Sequence, residues 1–397
     1  MTDTKRKICA LLVLFCLTSA FFSSSTLSAF AAKQEKQTVY AAFGDSIAAG
    51  YGLEGYSGDQ ENAPKDSYQA LLADFLKTES RNYAVSGDDS SACIEILNSG
   101  AADEVLKDAD IVTLSIGSND LLLPFIQIVM DYFNIQPGTI DPSFVEEQMK
   151  NQAALPMPEL SDLLEYYQQS EQLLTELADN AILHDKAAAF PHQLDIILSA
   201  LHEKAPDAQI YVTNIYNPFS SIPKIGEMAE TYIQEINKAF SSDSPDYTLI
   251  DVYTPFHEEE LTNVHFDTKL ENLKSFNLDP HPSVKGHKTI AGLLTDAVKK
   301  ANAPKAAAIT SLASSSKKKL TIKTSLPSDS DGYELRYSLS KNGSYQTLAS
   351  VSEKTYRTNS AKLKSGRTYY FKARSYRMIN GVTYYGKNSG VKKIKIK

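Results

Sequence analysis

The chain has 397 residues, of which 42% are hydrophobic and 22% are charged. This length can bury a large core and hold more than one domain. The three cysteines are too few to support a zinc-finger or a dithiol redox function. The net charge of −8 conceals an acidic N-terminal part and a basic C-terminal part.

Residues 1–31 have the pattern of a secretory signal. The basic residues 5–7 precede an apolar run at 8–17, and the small residues Ala29 and Ala31 stand at the two positions that a signal peptidase reads. The Ser- and Thr-rich stretch that follows the run stops it short of the roughly 20 residues that a membrane span needs. We therefore predict a secreted, extracellular protein without a membrane span, in which Cys93 is the remaining cysteine and no internal disulfide forms.

The next part of the chain alternates strand and helix patterns. Five short β-branched and aromatic runs have the composition of strands covered on both faces. The clearest helix spans 66–78, with Asp66 and Gln69 as the predicted capping pair. Such alternation predicts a parallel sheet with right-handed crossovers, whose ligands bind outside the carboxyl ends of the strands. The predicted strands are 39–43, 82–85, 111–116, 210–215 and 248–253.

Four short motifs occur in a fixed order, and three of them directly follow a predicted strand. They are Phe43-Gly44-Asp45-Ser46, Ser86-Gly87-Asp88, Gly117-Ser118-Asn119-Asp120 and Asp279-Pro280-His281-Pro282. A serine hydroxyl becomes a nucleophile only when a base takes its proton, and histidine is the side chain that titrates near neutral pH. In this order the motifs resemble those of the SGNH, or GDSL, family of serine hydrolases.

The resemblance implies a role for each residue. Ser46 is the expected nucleophile, His281 the base, and Asp279 the acid that orients the imidazole. The expected oxyanion donors are the backbone N–H groups of Ser46 and Gly87 and the side-chain amide of Asn119. Neither a metal nor an organic cofactor is implied.

The fourth motif departs from the family pattern. Members usually carry Asp three residues before the His, where this chain has Leu278, while Asp279 stands two residues before. Some members use a backbone carbonyl in place of the acid. Whether Asp279 or a carbonyl orients His281 is therefore open at this stage.

The segment 121–206 is longer than a single crossover helix. A helical pattern at 160–177 indicates an amphipathic helix that either packs on the domain or caps the pocket above Ser46. Several histidines, together with Asp267, lack any metal-ligand spacing, and we expect them at the surface. These histidines are His184, His192, His257 and His265.

A second domain is predicted after the Ala- and Pro-containing stretch 301–310, which has a hinge-like composition. Residues 32–304 carry 17 Lys and Arg against 43 Asp and Glu, whereas residues 305–397 carry 20 against 4. Alternating strands separated by Asn-Gly and Ser-Gly turns predict an all-β sandwich. The segment before Tyr369 resembles the fibronectin type III signature, with Tyr369 at the tyrosine-corner position, although the early Trp of that family is missing.

The lysines of this domain have two explanations. Those at 317–319 and at 392, 393, 395 and 397 fit an anionic cell-wall polymer, which a row of cations attracts in a salt-dependent manner. Alternatively, they protect edge strands from pairing with other sheets. Nucleic acid is a poorly motivated partner for a secreted protein.

Together these features predict an α/β protein with a three-layer, flavodoxin-like SGNH domain at 32–304, built on a parallel five-stranded sheet, and a C-terminal all-β sandwich at 305–397. The predicted function is that of a secreted serine esterase or lipase. Its substrate is a lipid or short-chain ester, or an O-acetyl group of a polysaccharide. The alternative is a cell-surface binding protein with a catalytically idle hydrolase domain, which turnover of a p-nitrophenyl ester would exclude.

Overall fold

Five parallel strands form the central sheet, in the order β2-β1-β3-β4-β5. This is the flavodoxin-like order, and it confirms the predicted sheet. The second strand, predicted at 82–85, begins earlier, at residue 80. Residues 83 and 85 still lie alongside β1, since their N–H groups donate to the carbonyls of residues 42 and 44. The strands are β1 Tyr40–Gly44, β2 Ser80–Asn82, β3 Ile111–Ser115, β4 Gln209–Thr213 and β5 Thr248–Ile250.

The computed structural model describes residues 37–58, 63–132, 171–222, 224–265 and 279–397. The predicted signal, residues 1–31, and most of the helix predicted at 160–177 lie outside the described residues. Within the described ranges, no helix combines the length and apolar content that crossing a membrane requires.

Helices cover both faces of the sheet and complete three layers. One face packs on α3, α5, α7 and α8, and the other on α2 and α11, each around its own apolar cluster. Residues 41 and 43 of β1 face the first cluster, and residues 40 and 42 face the second, as strand alternation requires. The helices are α1 Ser46–Ala49, α2 Tyr68–Leu76, α3 Ser90–Asn98, α4 Asp103–Leu106, α5 Ser118–Tyr132, α6 171–178, α7 Ala181–Lys204, α8 Ile225–Asn237, α9 Tyr253–Glu258, α10 Glu260–Asn263 and α11 Val284–Ala301.

Helix α2 does not use the predicted capping pair. Its N-cap is Ser67, whose hydroxyl accepts from the N–H of Ala70. Gln69 instead is buried and donates to the carbonyl of Ala48 in α1, at 2.6 Å. The side chain that was expected to cap the helix therefore ties α2 to the segment that carries Ser46.

The described parts of the segment 121–206 are helical and pack on the domain. Helices α5 and α7 contact each other, and α7 also contacts α3 and α8. Helix α7 begins where Asn180 accepts hydrogen bonds from the N–H groups of Ile182 and Leu183. This segment therefore forms one helical layer of the domain and, as the site geometry demonstrates, one wall of a pocket.

The C-terminal part is an antiparallel sandwich of two sheets, in the orders β10-β7-β6 and β12-β11-β8-β9, with β13 also paired to β11. The Tyr369 hydroxyl accepts from the backbone N–H of Lys364 at 2.9 Å, which is the bond expected of a tyrosine corner. The strands are β6 Ala308–Ala313, β7 Leu320–Ser325, β8 Gly332–Ser338, β9 Gln346–Val351, β10 Thr355–Thr358, β11 Thr368–Ile379, β12 Val382–Asn388 and β13 Lys392–Lys395.

The hairpin that joins β11 to β12 docks on the α/β domain. Val382 and Tyr384 are buried in the same cluster as α2 and α11. At the tip, Asn380 Nδ2 donates to the carbonyl of Leu76 at 3.0 Å, and Lys77 Nζ donates to that of Gly381 at 2.6 Å. The stretch predicted as a hinge joins α11 to β6, but the two domains also share this apolar contact.

Candidate active site

Ser46 lies immediately after β1, as the first residue of α1, and is 7% exposed. The Asp45 carboxylate caps α1 by accepting from the N–H of Ile47 at 2.9 Å. Gly44 has φ +143°, and a Cβ there would lie 2.1 Å from the carbonyl oxygen of Ser115. Glycine is therefore required at the point where β1 turns sharply beside β3 to present Ser46.

A continuous hydrogen-bonded relay connects Ser46 to His281 and Asp279. His281 Nε2 lies 2.9 Å from Ser46 Oγ, and His281 Nδ1 lies 2.5 Å from Asp279 Oδ1. The same carboxylate oxygen accepts from the backbone N–H of His281 at 3.0 Å. The spacing of two residues thus brings the Asp279 carboxylate onto the imidazole by folding it back over Pro280.

The electrostatics of Asp279 suit a partner of an imidazole. Burial alone would raise the pKa of Asp279, but the hydrogen bond from His281 and the positive charge of the imidazolium outweigh it and hold the pKa below its usual value. Asp279 is therefore ionised at neutral pH and can stabilise a proton on His281.

Three further contacts fix the position of His281. The ring of Tyr51 lies 4.4 Å from the imidazole, centroid to centroid. The Tyr216 hydroxyl donates to the carbonyl of Pro280 at 2.7 Å, and the N–H of His265 donates to the carbonyl of His281 at 2.9 Å. The loop that carries the imidazole is therefore held from both sides.

The predicted oxyanion donors lie at the same edge of the sheet. Gly87 has φ +91°, a conformation that favours glycine. Asn119 is 4% exposed, and its Nδ2 donates one hydrogen to the carbonyl of Asp88 at 2.8 Å. An amide nitrogen has two hydrogens, so the second is available to a substrate oxygen. Among the described residues, the N–H groups of Ser46 and Gly87 have no protein acceptor.

Sequence reasoning missed a pair of residues that supports these donors. The Asp120 carboxylate accepts from both the backbone N–H and the hydroxyl of Ser90, the first residue of α3. This pair holds the loop that contains Gly87 against the start of α5, which contains Asn119. The available signal was an acidic residue directly after Asn119, but its partner lies 30 positions away.

Sequence reasoning also gave Asp45 no role beyond its place in the first motif. It is fully buried, and its Oδ2 has no hydrogen-bond partner in the described part of the chain. Burial raises the pKa of Asp45 to about 7, although the hydrogen bond from Ile47 opposes the shift. Burial therefore favours the neutral form of this carboxyl group, which is adjacent to Ser46 in the chain.

An apolar pocket opens beside Ser46 and His281. Its walls come from α5, α7, α8 and the residues that follow β4, and its described lining contains no Asp, Glu, Lys or Arg. Ser46, Asn119 and His281 are among the polar residues of the lining. Apolar residues along the walls include Leu122, Phe125, Leu183, Met228, Ala229 and Ile233. Such a pocket accommodates a hydrocarbon group next to the serine hydroxyl.

The histidines considered as metal ligands do not cluster. His184 Nδ1 lies 2.8 Å from Glu235 Oε2, and its Nε2 lies 3.4 Å from Asp179 Oδ1. Across the described ranges, no group of three or more His, Cys, Asp and Glu side chains could hold a metal ion. Asp267 lies outside the described residues.

Comparison with known proteins identifies the family. The sequence model of the GDSL-like Lipase/Acylhydrolase family matches residues 42–289, a range that includes all five predicted site residues. The chain belongs to this family. It is therefore a hydrolase of ester bonds, as the order of the four motifs indicated.

Individual relatives are distant. An uncharacterized protein of Bacillus subtilis, YpmR, is 24% identical over 302 residues, covering 74% of this chain and 94% of that protein. Phospholipase A1 from Streptomyces albidoflavus is 18% identical over 65% of this chain and 98% of its own, with a TM-score of 0.43. A Fn3-like protein from Clostridium thermocellum is 20% identical over 24% of this chain and 95% of its own, with a TM-score of 0.20.

Proposed function

We propose that this protein is a secreted serine esterase that hydrolyses carboxylic esters of apolar acyl chains through an acyl-enzyme on Ser46. The observation that carries the proposal is the relay of Ser46, His281 and Asp279, with contacts of 2.9 and 2.5 Å, beside an apolar pocket that Ser46 and His281 line. Secretion is supported by the signal pattern of residues 1–31.

In the first half of the reaction, Ser46 Oγ attacks the ester carbonyl carbon while His281 Nε2 takes its proton. His281 Nδ1 keeps its own proton toward Asp279, whose lowered pKa keeps the carboxylate charged as the imidazolium forms. The alcohol then leaves with the proton from Nε2, and the acyl group stays on Ser46.

The negative oxygen of the tetrahedral intermediate is stabilised by three donors in this mechanism: the N–H groups of Ser46 and Gly87 and the free hydrogen of Asn119 Nδ2. Because Asn119 is already held by the carbonyl of Asp88, little reorganisation accompanies the reaction. In the second half, water attacks the acyl carbonyl carbon while His281 Nε2 takes its proton; the bond to Ser46 Oγ then breaks, Oγ regains the proton from Nε2, and the acid is released.

The pocket favours a hydrocarbon acyl group over acetyl. An acetyl group has one methyl to bury and would leave most of the apolar lining unoccupied. Each further buried methylene contributes about 0.8 kcal/mol, or about fourfold in kcat/KM when the contact persists in the transition state. We therefore assign lipid or medium-chain esters as the substrate class, ahead of polysaccharide O-acetyl groups.

The test is a series of p-nitrophenyl esters from acetate to laurate, run beside an acetylated polysaccharide. We expect kcat/KM to rise by about fourfold per methylene until the pocket is filled. The variant Ala229→Phe, which fills the pocket, should lose this rise while retaining acetate turnover. Thr231→Phe, exposed on the same helix α8, is the matched control and should keep the parental profile.

Two outcomes would contradict the substrate assignment. One is a preference for acetate that Ala229→Phe leaves unchanged, and the other is deacetylation of the polysaccharide faster than turnover of every longer ester. Failure of all esters with intact folding would contradict the esterase function itself.

A further inference from the structure

Three basic segments that are far apart in the sequence meet at one end of the sandwich. The N–H of Lys318 donates to the carbonyl of Lys397 at 2.8 Å, and the N–H of Gly366 donates to that of Ile396 at 2.8 Å. The Ser365 hydroxyl also donates to the carbonyl of Lys397, at 2.7 Å. The lysine runs near 318 and 397 therefore belong to one surface, together with the turn at 364–367.

We define the basic end as residues 314–319, 339–345, 359–367 and 396–397. The loop 339–345 joins β8 to β9 at this end, and Lys362 Nζ reaches the carbonyl of Thr347 near the start of β9, at 3.2 Å. The four segments contain eight Lys and Arg residues and no Asp or Glu. The cations are Lys317, Lys318, Lys319, Lys341, Lys362, Lys364, Arg367 and Lys397.

The acidic residues of the domain lie toward the opposite end. Asp329 and Asp331 occupy the loop before β8, and Glu353 the turn before β10. Glu334, near the start of β8, is paired with Arg374 at 2.8 Å. The sandwich is thus charged asymmetrically along its strands, and the basic end has no internal compensation among its own residues.

The basic end also lies away from the α/β domain. Strand β11 begins at this end with Thr368 and runs to Ile379, next to the hairpin tip that contacts Leu76 and Lys77. Twelve residues of strand span about 35 Å. The hairpin contacts the C-terminal end of α2, whereas the beginning of α2 adjoins α1 and Ser46. The basic end is therefore separated by the length of β11 from the place where the sandwich contacts the α/β domain.

We propose that the basic end binds a linear phosphate polyanion and tethers the enzyme to it. This inference does not depend on the proposed esterase function. Eight cations, in segments that contain no Asp or Glu, create a positive potential that attracts a repeating anion. Flexible lysines in loops match a polymer of variable conformation better than a single rigid anion.

Edge protection explains only part of the lysine content. Strand β13 pairs with β11 and lies at the sheet edge, so its lysines 392, 393 and 395 block further pairing. The cations of the basic end lie in turns and loops, where no strand edge requires protection. Their convergence therefore needs another explanation, and polyanion binding supplies it.

A bilayer is a weaker fit than a polymer. Among the described residues of the basic end, Leu339 is the one large hydrophobic side chain that is strongly exposed, at 55%. Membrane-surface binding combines basic charge with a broad apolar face, and a single leucine does not form such a face. We therefore commit to a polymer and make vesicles an arm of the test.

The experiment measures binding of the full chain to immobilised long-chain polyphosphate between 50 and 200 mM salt. We expect a loss of affinity on the order of 100-fold across this range, as for a site that engages four or five phosphates. The triple variant Lys317→Gln, Lys319→Gln, Lys364→Gln should bind at least tenfold more weakly. The matched control, Lys323→Gln, Lys354→Gln, Lys387→Gln, removes equal charge outside the basic end and should stay within twofold of the parent.

Polyglutamate, neutral dextran and vesicles containing anionic phospholipid are run in parallel. Stronger binding to polyphosphate than to polyglutamate supports a phosphate polymer, and equal binding overturns the phosphate assignment. The proposal is overturned if both triple variants weaken binding equally or if binding is insensitive to salt. It is also overturned if the protein binds the vesicles but not polyphosphate. Self-association at low salt that only the first triple variant abolishes would instead assign the basic end to a second copy of this acidic chain. Unchanged ester turnover and melting temperature establish that both variants are folded.

Discussion

Replacing Asp279 by Asn tests how the imidazole of His281 is held. In the parent, Asp279 Oδ1 accepts from both Nδ1 and the backbone N–H of His281, at 2.5 and 3.0 Å. An asparagine that places its oxygen there can keep both bonds but carries no negative charge. The imidazolium that forms when His281 takes the proton of Ser46 would then lose the charge that stabilises it.

The expected effect on kcat is large. The corresponding change in a serine protease preserves the geometry and lowers kcat about 10⁴-fold, which corresponds to about 5.5 kcal/mol of transition-state stabilisation. We expect a loss of similar order here, with a small change in KM, because the apolar pocket that we propose for the acyl chain is untouched. Initial rates with p-nitrophenyl octanoate, together with a melting curve, measure both quantities.

His281→Ala is the control that removes the base. If Asp279→Asn retains a kcat within threefold of the parent while His281→Ala is inactive, Asp279 does not orient the imidazole. A Ser46–His281 dyad would then remain, with a backbone carbonyl as the acceptor.

Three further variants test other parts of the structure. Asn119→Ala should lower kcat by about 10²- to 10³-fold with little change in KM, because the amide acts on the transition state; an effect on KM alone would argue against an oxyanion donor. His287 is buried, and burial lowers its pKa to about 3, so that the unfolded chain, with a pKa of 6.5, binds a proton first as the pH falls. The contribution of His287 to the free energy of unfolding is therefore present above pH 6.5 and decreases in acid, by about 3 kcal/mol at pH 4.5. Between pH 8 and 4.5, urea unfolding should reveal a decrease in stability that is about 3 kcal/mol smaller for His287→Asn than for the parent. Equal decreases would contradict the assignment. Tyr384→Ala should destabilise the protein by about 3 kcal/mol in one cooperative transition, whereas exposed Tyr385→Ala should cost less than about 1 kcal/mol; separate transitions in the parent would contradict a shared core.

The sheet and the positions of the motifs were predictable because local patterns determine them. Buried parallel strands are continuous apolar runs, and the carboxyl ends of such strands meet at one edge. Ser46, Gly87 and Asn119 each follow a strand segment closely, so the sheet alone brings them together. Turn chemistry was harder to predict, since Asp66 and Ser67 are both good caps and the structure uses Ser67.

Long-range pairings were not predictable from the same patterns. The alternation of Val382 and Tyr384 indicates that one face of β12 is buried, but a period of two does not identify the surface on which that face packs. Both side chains pack on α2 and α11 of the other domain. The hydrogen bonds between Ser90 and Asp120 were unpredictable for the same reason, because only the folded sheet brings these two residues into contact.

Covalent labelling of Ser46 tests the central claim most directly. A fluorophosphonate probe should modify the parent chain at Ser46 only, and Ser46→Ala should lose both labelling and at least 10³-fold of the esterase rate while keeping its melting temperature, because alanine leaves the loop packing intact. Labelling at another residue, or a rate in Ser46→Ala within tenfold of the parent, would contradict the account.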